Sequence, residues 1–141
     1  MPNCYDVAQY YVLNFWSLTK VKLHKLMYYT QGWYLAKYDT PLFDEDFYKW
    51  KNGSVIKDLQ ESMHFSDKIV PLDIPNANYD NITDENVAFF SKILQVYGDY
   101  SAEELIEMTH NEAPLIVTDA EQIITKNIIK NYFKSIQCQI L

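Results

Sequence analysis

The chain has 141 residues, of which 48% are apolar and 16% aromatic, and carries a formal net charge of −7. That is enough apolar material for one domain with a sizeable core, and it excludes disordered, collagen-like and low-complexity classes. No apolar run approaches the roughly 20 residues that a membrane-spanning helix needs.

Asn3 is placed to cap a first helix whose Tyr5, Ala8, Tyr11, Val12 and Phe15 share one face. Residues 14–18 interrupt it. Thr19 then precedes a proline-free segment, residues 20–37, with Leu23, Leu26, Met27, Thr30 and Tyr34 at helical spacing and Val21, Tyr28 and Leu35 widening the stripe. This pattern predicts a central helix buried on more than one side. Gly32 costs such a helix about 1 kcal/mol relative to alanine, which points to close approach of a backbone or an aromatic ring. Asp39-Thr40-Pro41 reads as a turn. Phe47, Tyr48 and Trp50 are β-formers, and Asn52-Gly53 is the strongest hairpin signal in the chain. Residues 55–64 return to weak helical character. Residues 71–81 read as an exposed connection, with room for a short strand over 69–74.

The second half predicts three helices. Thr83 caps one that runs to about Tyr97, with Gly98 at the C′ position. Ser101 and Glu104 form a capping box for a helix to His110, and Thr118 and Glu121 form another for a last helix over residues 120–136. The elements predict a mainly α fold, a compact single domain over residues 1–141. It is a bundle of about five to six helices with a small β-hairpin or short sheet near residues 43–56.

Motifs for chemistry are sparse. His24, His64 and His110 form no metal-ligand spacing, and no phosphate-binding glycine loop or nucleophile elbow occurs. Asp44-Glu45-Asp46 offers oxygen ligands of the kind Mg²⁺ takes, or is a solvated loop. The chain therefore reads as a binding protein rather than an enzyme, with no metal and no cofactor. An enzymatic role would need one of the histidines beside carboxylates in a cleft. The first residues lack the basic and apolar regions of a signal peptide, which predicts a cytoplasmic protein with Cys4 and Cys138 as free thiols.

All 12 cations are lysines. Residues 1–70 hold 8 Lys against 8 Asp and Glu, whereas residues 71–141 hold 4 against 11, so the whole −7 resides in the second half. Without arginine or a basic stripe, no nucleic-acid partner is expected. The acidic half either favours encounter with a basic partner or serves solubility alone. Lys20, Lys22 and Lys25 crowd the start of the central helix, where the dipole disfavours cations. Either Asp44-Glu45-Asp46 neutralises them across space, or they form a basic spot for a partner. The 12 tyrosines cluster around Tyr10-Tyr11 and Tyr28-Tyr29, suiting either the rim of the core or an interface.

The run Lys22-Leu23-His24-Lys25-Leu26-Met27-Tyr28-Tyr29-Thr30-Gln31-Gly32-Trp33 closely resembles the K-L-x-K-L-x-Y-Y-x-Q-G-x motif of the Panacea domain, the SocA-like antitoxin family. The resemblance continues through Pro41-Leu42-Phe43, Phe47, Trp50 and Gly53-Ser54-Val55-Ile56. It resumes at Ser101-Ala102-Glu103-Glu104-Leu105, Thr109-His110 and Pro114, and so covers nearly the whole chain outside residues 66–81. Ser54 stands where the family usually has proline, and Leu115 where it usually has tryptophan.

The resemblance implies a mainly helical domain of phages and mobile elements that neutralises a cognate protein toxin by binding it, with no catalytic centre. One branch of the family delivers its toxin to an ATP-dependent protease as an adaptor, and an inhibitor of a host protein is a third use compatible with membership. Direct association needs about 800 Å² of surface per partner, with aromatic hot spots. The sequence offers Tyr28, Tyr29, Trp33 and Trp50 for that surface, edged by Lys22 and Lys25. The plainer reading of Tyr29, Trp33 and Trp50 is core packing.

Overall fold

A computed structural model describes residues 1–62 and 68–136, so His64 and Cys138 lie outside the described residues. Helix α1, Cys4–Asn14, starts where expected. The Asn3 side chain accepts from the Asp6 amide at 2.9 Å, and the Asp6 carboxylate accepts from the Asn3 amide at 2.9 Å. The buried Asp6 also accepts from the Asn78 amide at 2.7 Å and the Asn81 side chain at 3.0 Å, which ties the irregular 71–81 connection onto α1. That connection contains two single 3₁₀ turns, Pro71–Asp73 and Tyr79–Asn81. No strand forms over 69–74, because Asp73 turns back to accept from the Val70 amide at 2.9 Å.

Helix α2, Lys20–Tyr38, is capped by Thr19 and ends at Asp39 in the left-handed conformation. Every residue from Leu23 to Trp33 is buried. Around it run α1, the hairpin β1 (Phe47–Trp50) and β2 (Gly53–Ile56), and α3 (Lys57–Ser62). Next come α4 (Asp84–Tyr97) and α5 (Ala102–His110), with their Thr83 and Ser101 capping boxes as expected. A five-residue helix, α6 (Ala113–Val117), was not anticipated. Gly98 sits at the C-cap of α4 in the right-handed region, φ −61, rather than at a left-handed C′ position.

The largest difference from expectation lies at the end of the chain. Residues 120–136 do not form one helix. Ile123–Ile124 makes a short strand, β3, paired with Phe47 and Tyr48, so the sheet has the order β2-β1-β3 and is antiparallel throughout. Glu121 adopts φ +67 and its amide donates to the Lys49 carbonyl at 2.7 Å, while the Lys49 amide donates to the Gln122 carbonyl at 3.0 Å. Thr118, expected as a cap, instead donates to the Pro114 carbonyl at 2.7 Å. The last helix, α7 (Lys126–Ser135), is capped by Thr125. The open edge of β1 outbids a local capping pattern here.

The acidic run also departs from expectation. Asp46 pairs with Lys126 at 2.7 Å, and Glu45 accepts from the Cys4 amide at 3.0 Å at the start of α1. Among the described residues none of Asp44, Glu45 or Asp46 pairs with Lys20, Lys22 or Lys25.

Helix α7 crosses α2 where Gly32 leaves the backbone bare. Phe133, fully buried, packs its ring over that spot, 4.9 Å from Trp33 and 5.6 Å from Tyr28 between ring centroids. A methyl group at position 32 would overlap the ring. The expected close approach of an aromatic side chain is what the structure contains. Gly32→Ala is therefore expected to destabilise the fold by about 2 kcal/mol even after its gain in helix propensity. Urea midpoints measure this, and Phe133→Leu in the Gly32→Ala background should recover part of the loss.

Candidate functional site

Four of the six residues offered for a partner surface are at most 1% exposed: Lys25, Tyr28, Tyr29 and Trp33. They cannot touch a partner in this fold, and the surface reading is corrected for all four. The reason is the position of α2, which is covered on every side over that stretch. Trp33 donates from its indole to the Tyr97 hydroxyl at 2.9 Å. Tyr29 stacks on Tyr97 at 3.8 Å and donates to Glu112 at 2.8 Å. Tyr28 meets Phe47 and Phe133 edge-on. Lys25 donates to the Ser54 carbonyl at 2.9 Å.

Lys22 is half-buried. Its ammonium lies 4.3 Å above the Phe15 ring and donates to the Gly98 carbonyl at 2.6 Å. Partial burial lowers its pKa, opposed by Asp99 and Glu104 nearby. Trp50, at the end of β1, is 36% exposed and is the one member of the set that presents a large ring to solvent.

Trp50 and its neighbour Lys51 line two separate clefts. The first, about 800 Å³, lies between the hairpin, the start of α2 and α5, with Thr19, Lys20, Glu103 and Ile106 on its walls. The second, about 830 Å³, runs to α6 and the turn before β3, with His110, Leu115, Ile116 and Glu121 on its walls. Ile116 and Val117 are exposed beside it. The hairpin tip is therefore a ridge between two hollows, a shape suited to gripping a protein surface. Leu115, which replaces the tryptophan of the resembled pattern, forms part of one hollow. Sequence reasoning missed the second hollow because it arises from α6 and the β3 turn, neither of which it anticipated, and the first because it needs α5 packed beside the hairpin and the start of α2, a tertiary contact that local patterns do not carry.

His24 serves structure. Its Nδ1 accepts from the Ile56 amide at 3.2 Å, and its Nε2 therefore donates to the Gln60 side chain at 3.0 Å. Burial, with the neighbouring Lys25, pushes its pKa down to about 3, so it stays neutral. Cys4 is buried and its thiol is pushed well above the usual range by burial. Among the described residues no three His, Cys, Asp or Glu are grouped to hold a metal ion, and no helix is long and apolar enough to cross a membrane.

A family model described as "Antitoxin SocA-like, Panacea domain" matches residues 23–114. No curated protein and no solved structure matches the chain. The matched segment takes in most of α2, the hairpin, α4 and α5, and leaves α1, its connection to α2, β3 and α7 outside.

Buried Lys25 and half-buried Glu112 make stability depend on pH in opposite directions. Burial lowers Lys25 from 10.5 to about 7, so between those values the unfolded chain holds a proton that the folded chain lacks. Stability therefore rises with pH across that window, by at most about 1.4 kcal/mol per unit. Burial raises Glu112 from 4.5 to about 7, with the Tyr29 hydroxyl opposing the shift. There the folded chain holds the extra proton, and stability falls as pH rises through that range. Buried His24, lowered from 6.5 to about 3, adds a rise with pH that opposes Glu112 between pH 5 and 6.5. Urea unfolding from pH 5 to 10 should therefore show the rise above pH 7 vanish in Lys25→Met, while Glu112→Gln should steepen the rise between pH 5 and 7. Profiles parallel to the wild type would contradict the assignment.

Proposed function

The chain belongs to the SocA-like antitoxin family of Panacea domains, and from that membership we propose that it neutralises a cognate protein toxin in the cytoplasm by direct binding, without catalysis. The observation that carries the reading is the family match over residues 23–114. The buried state of the motif around Tyr28, Tyr29 and Trp33 supports a division of labour: the recurring residues build the scaffold, and the surface around it selects the partner. The face we assign to the toxin centres on Trp50 and Lys51 with a hollow on either side. Its ring, edge and hollows meet the general anatomy of a protein interface, an aromatic anchor beside concave surface. The excess of acids in the second half favours a basic toxin.

The test is co-expression with the product of each adjacent reading frame, followed by size exclusion of the tagged chain. The expected result is co-elution with a product that arrests growth when expressed alone. Disappearance of that product in a protease-dependent way would instead mark delivery to an ATP-dependent protease. Harmless neighbours and a chain that elutes by itself would refute neutralisation of a locally encoded toxin. Trp50→Ala should weaken a genuine complex about tenfold or more, measured by calorimetry, with the urea midpoint little changed.

A further inference from the structure

The first cleft beside Trp50 carries a charge opposite to that of the chain as a whole. The protein bears a net charge of −7, yet the walls of this cleft present Lys20, Lys25 and Lys51 against a single acid, Glu103. His24 also lines it and stays neutral. Among the described residues the ion pairs join Lys126 to Asp46 and Lys134 to Asp39, so none of the three lysines has a carboxylate partner. Lys51 is exposed and Lys20 half-buried. Lys25 is wholly buried, and its ammonium donates to one acceptor, the Ser54 carbonyl. Burial lowers its pKa to about 7, with no acid opposing the shift. It is a fixed charge behind the cleft wall, whereas Lys20 and Lys51 are free to reach a ligand. The charges bordering the cleft do not cancel this excess. Lys68 stands exposed opposite Thr19 across an isolated backbone bridge and adds a further cation. Asp99 and Glu104 act on Lys22, which is outside the cleft wall and already engaged with the Gly98 carbonyl.

The start of α2 opens on the same space, since Thr19 and Lys20 line it, and the first turn of that helix holds no acid. A helix N-terminus favours negative charge, so the lysines add to its field where acids would offset it. An anion seated among them turns this crowding of positive charge into an attraction. Phosphate, a compact dianion, suits several converging ammonium groups beside a helix start. The cleft, about 800 Å³, is far larger than a phosphate ion and within the range of small-molecule sites. Its remaining walls include Trp50, Val55 and Ile106. Trp50 lies opposite Gly53 across the hairpin, so no cross-strand side chain covers the indole. An uncovered indole beside cations is a platform for a flat ring.

We propose that this cleft binds a small organic phosphate with a flat apolar body, the nucleotides being the class that combines the two. The phosphate lies between Lys20 and Lys51 at the start of α2, and the ring lies against Trp50. Trp50 and Lys51 also belong to the face assigned to the toxin. A bound dianion removes the local positive charge that opposes a basic partner there. The ligand site itself does not depend on the antitoxin reading.

The test is calorimetry on the full chain alone, at low salt, with AMP, GMP, CMP and UMP, and with inorganic phosphate and adenosine as the two halves of AMP. At least one nucleotide should bind about tenfold or more tighter than inorganic phosphate, and AMP tighter than adenosine by a similar factor. Lys20→Gln and Lys51→Gln should each weaken that nucleotide about tenfold and reduce the salt dependence, with the urea midpoint unchanged because neither lysine has a partner to lose. Glu103→Gln should tighten it. Trp50→Leu should weaken the nucleotide and leave inorganic phosphate as it was. No binding of any nucleotide at about 10 mM, a level that registers even weak sites, would overturn the proposal. So would AMP binding no better than adenosine, or nucleotide affinity unaltered in the Lys20→Gln, Lys51→Gln double variant. Each of these results leaves the antitoxin reading standing, because no toxin enters the measurement.

Discussion

A helix enclosed on all sides must find partners for the polar groups it carries inward, and besides the tips of its aromatic rings α2 buries four polar side chains between Leu23 and Trp33: His24, Lys25, Thr30 and Gln31. An unpaired buried amide or hydroxyl costs about 1–3 kcal/mol, so these four residues dictate what surrounds them. Gln31 donates to the Phe43 carbonyl at 2.7 Å and accepts from the Leu42 amide at 2.8 Å, which fixes the chain just after the Asp39 turn. Thr30 bonds to the Tyr11 hydroxyl at 2.6 Å and so positions α1. His24 and Lys25 hold opposite ends of β2, at Ile56 and Ser54. The hairpin, and with it the Trp50 ridge, stands where α2 requires.

This arrangement explains why the most specific stretch of the sequence contributes no contact surface. Its aromatic residues pack, and its polar residues bond to the backbones of neighbours. Aromatic richness at helical spacing is the same signal for a core and for an interface, because both bury rings beside polar tips. What separates them is whether a second element covers the face. For Tyr28, Tyr29 and Trp33 the covering element is α7, more than ninety residues later in the chain.

Local signals in the sequence were therefore reliable and remote ones were not. Asn3, Thr19, Thr83 and Ser101 each cap a helix within three residues of themselves, so their starts were legible. Asn52-Gly53 likewise set the hairpin, with Gly53 at φ +101. Thr118 and Glu121 display the same capping pattern, yet the backbone of Lys49 captures that segment into the sheet. Asp46 finds Lys126 rather than the nearer lysines for the same reason: the partner is brought by the tertiary fold. Within the candidate site, the sequence left Trp50 between surface and core, its 36% exposure is set by its place at the end of β1, and the hollows beside it were not legible.

The packing of Phe133 over Gly32 has a consequence for the order in which the molecule comes into being. A chain emerging from the ribosome folds from its first residues onward, and α2 appears long before α7. Until residues 126–135 arrive, the bare backbone at Gly32 and the rings of Tyr28, Tyr29 and Trp33 lack the cover that completes them. The nascent protein passes through a stage with an open aromatic groove, exposed to proteolysis and to mispairing. Closure of the core is then timed by the arrival of α7, and a product truncated before residue 126 would keep that groove open.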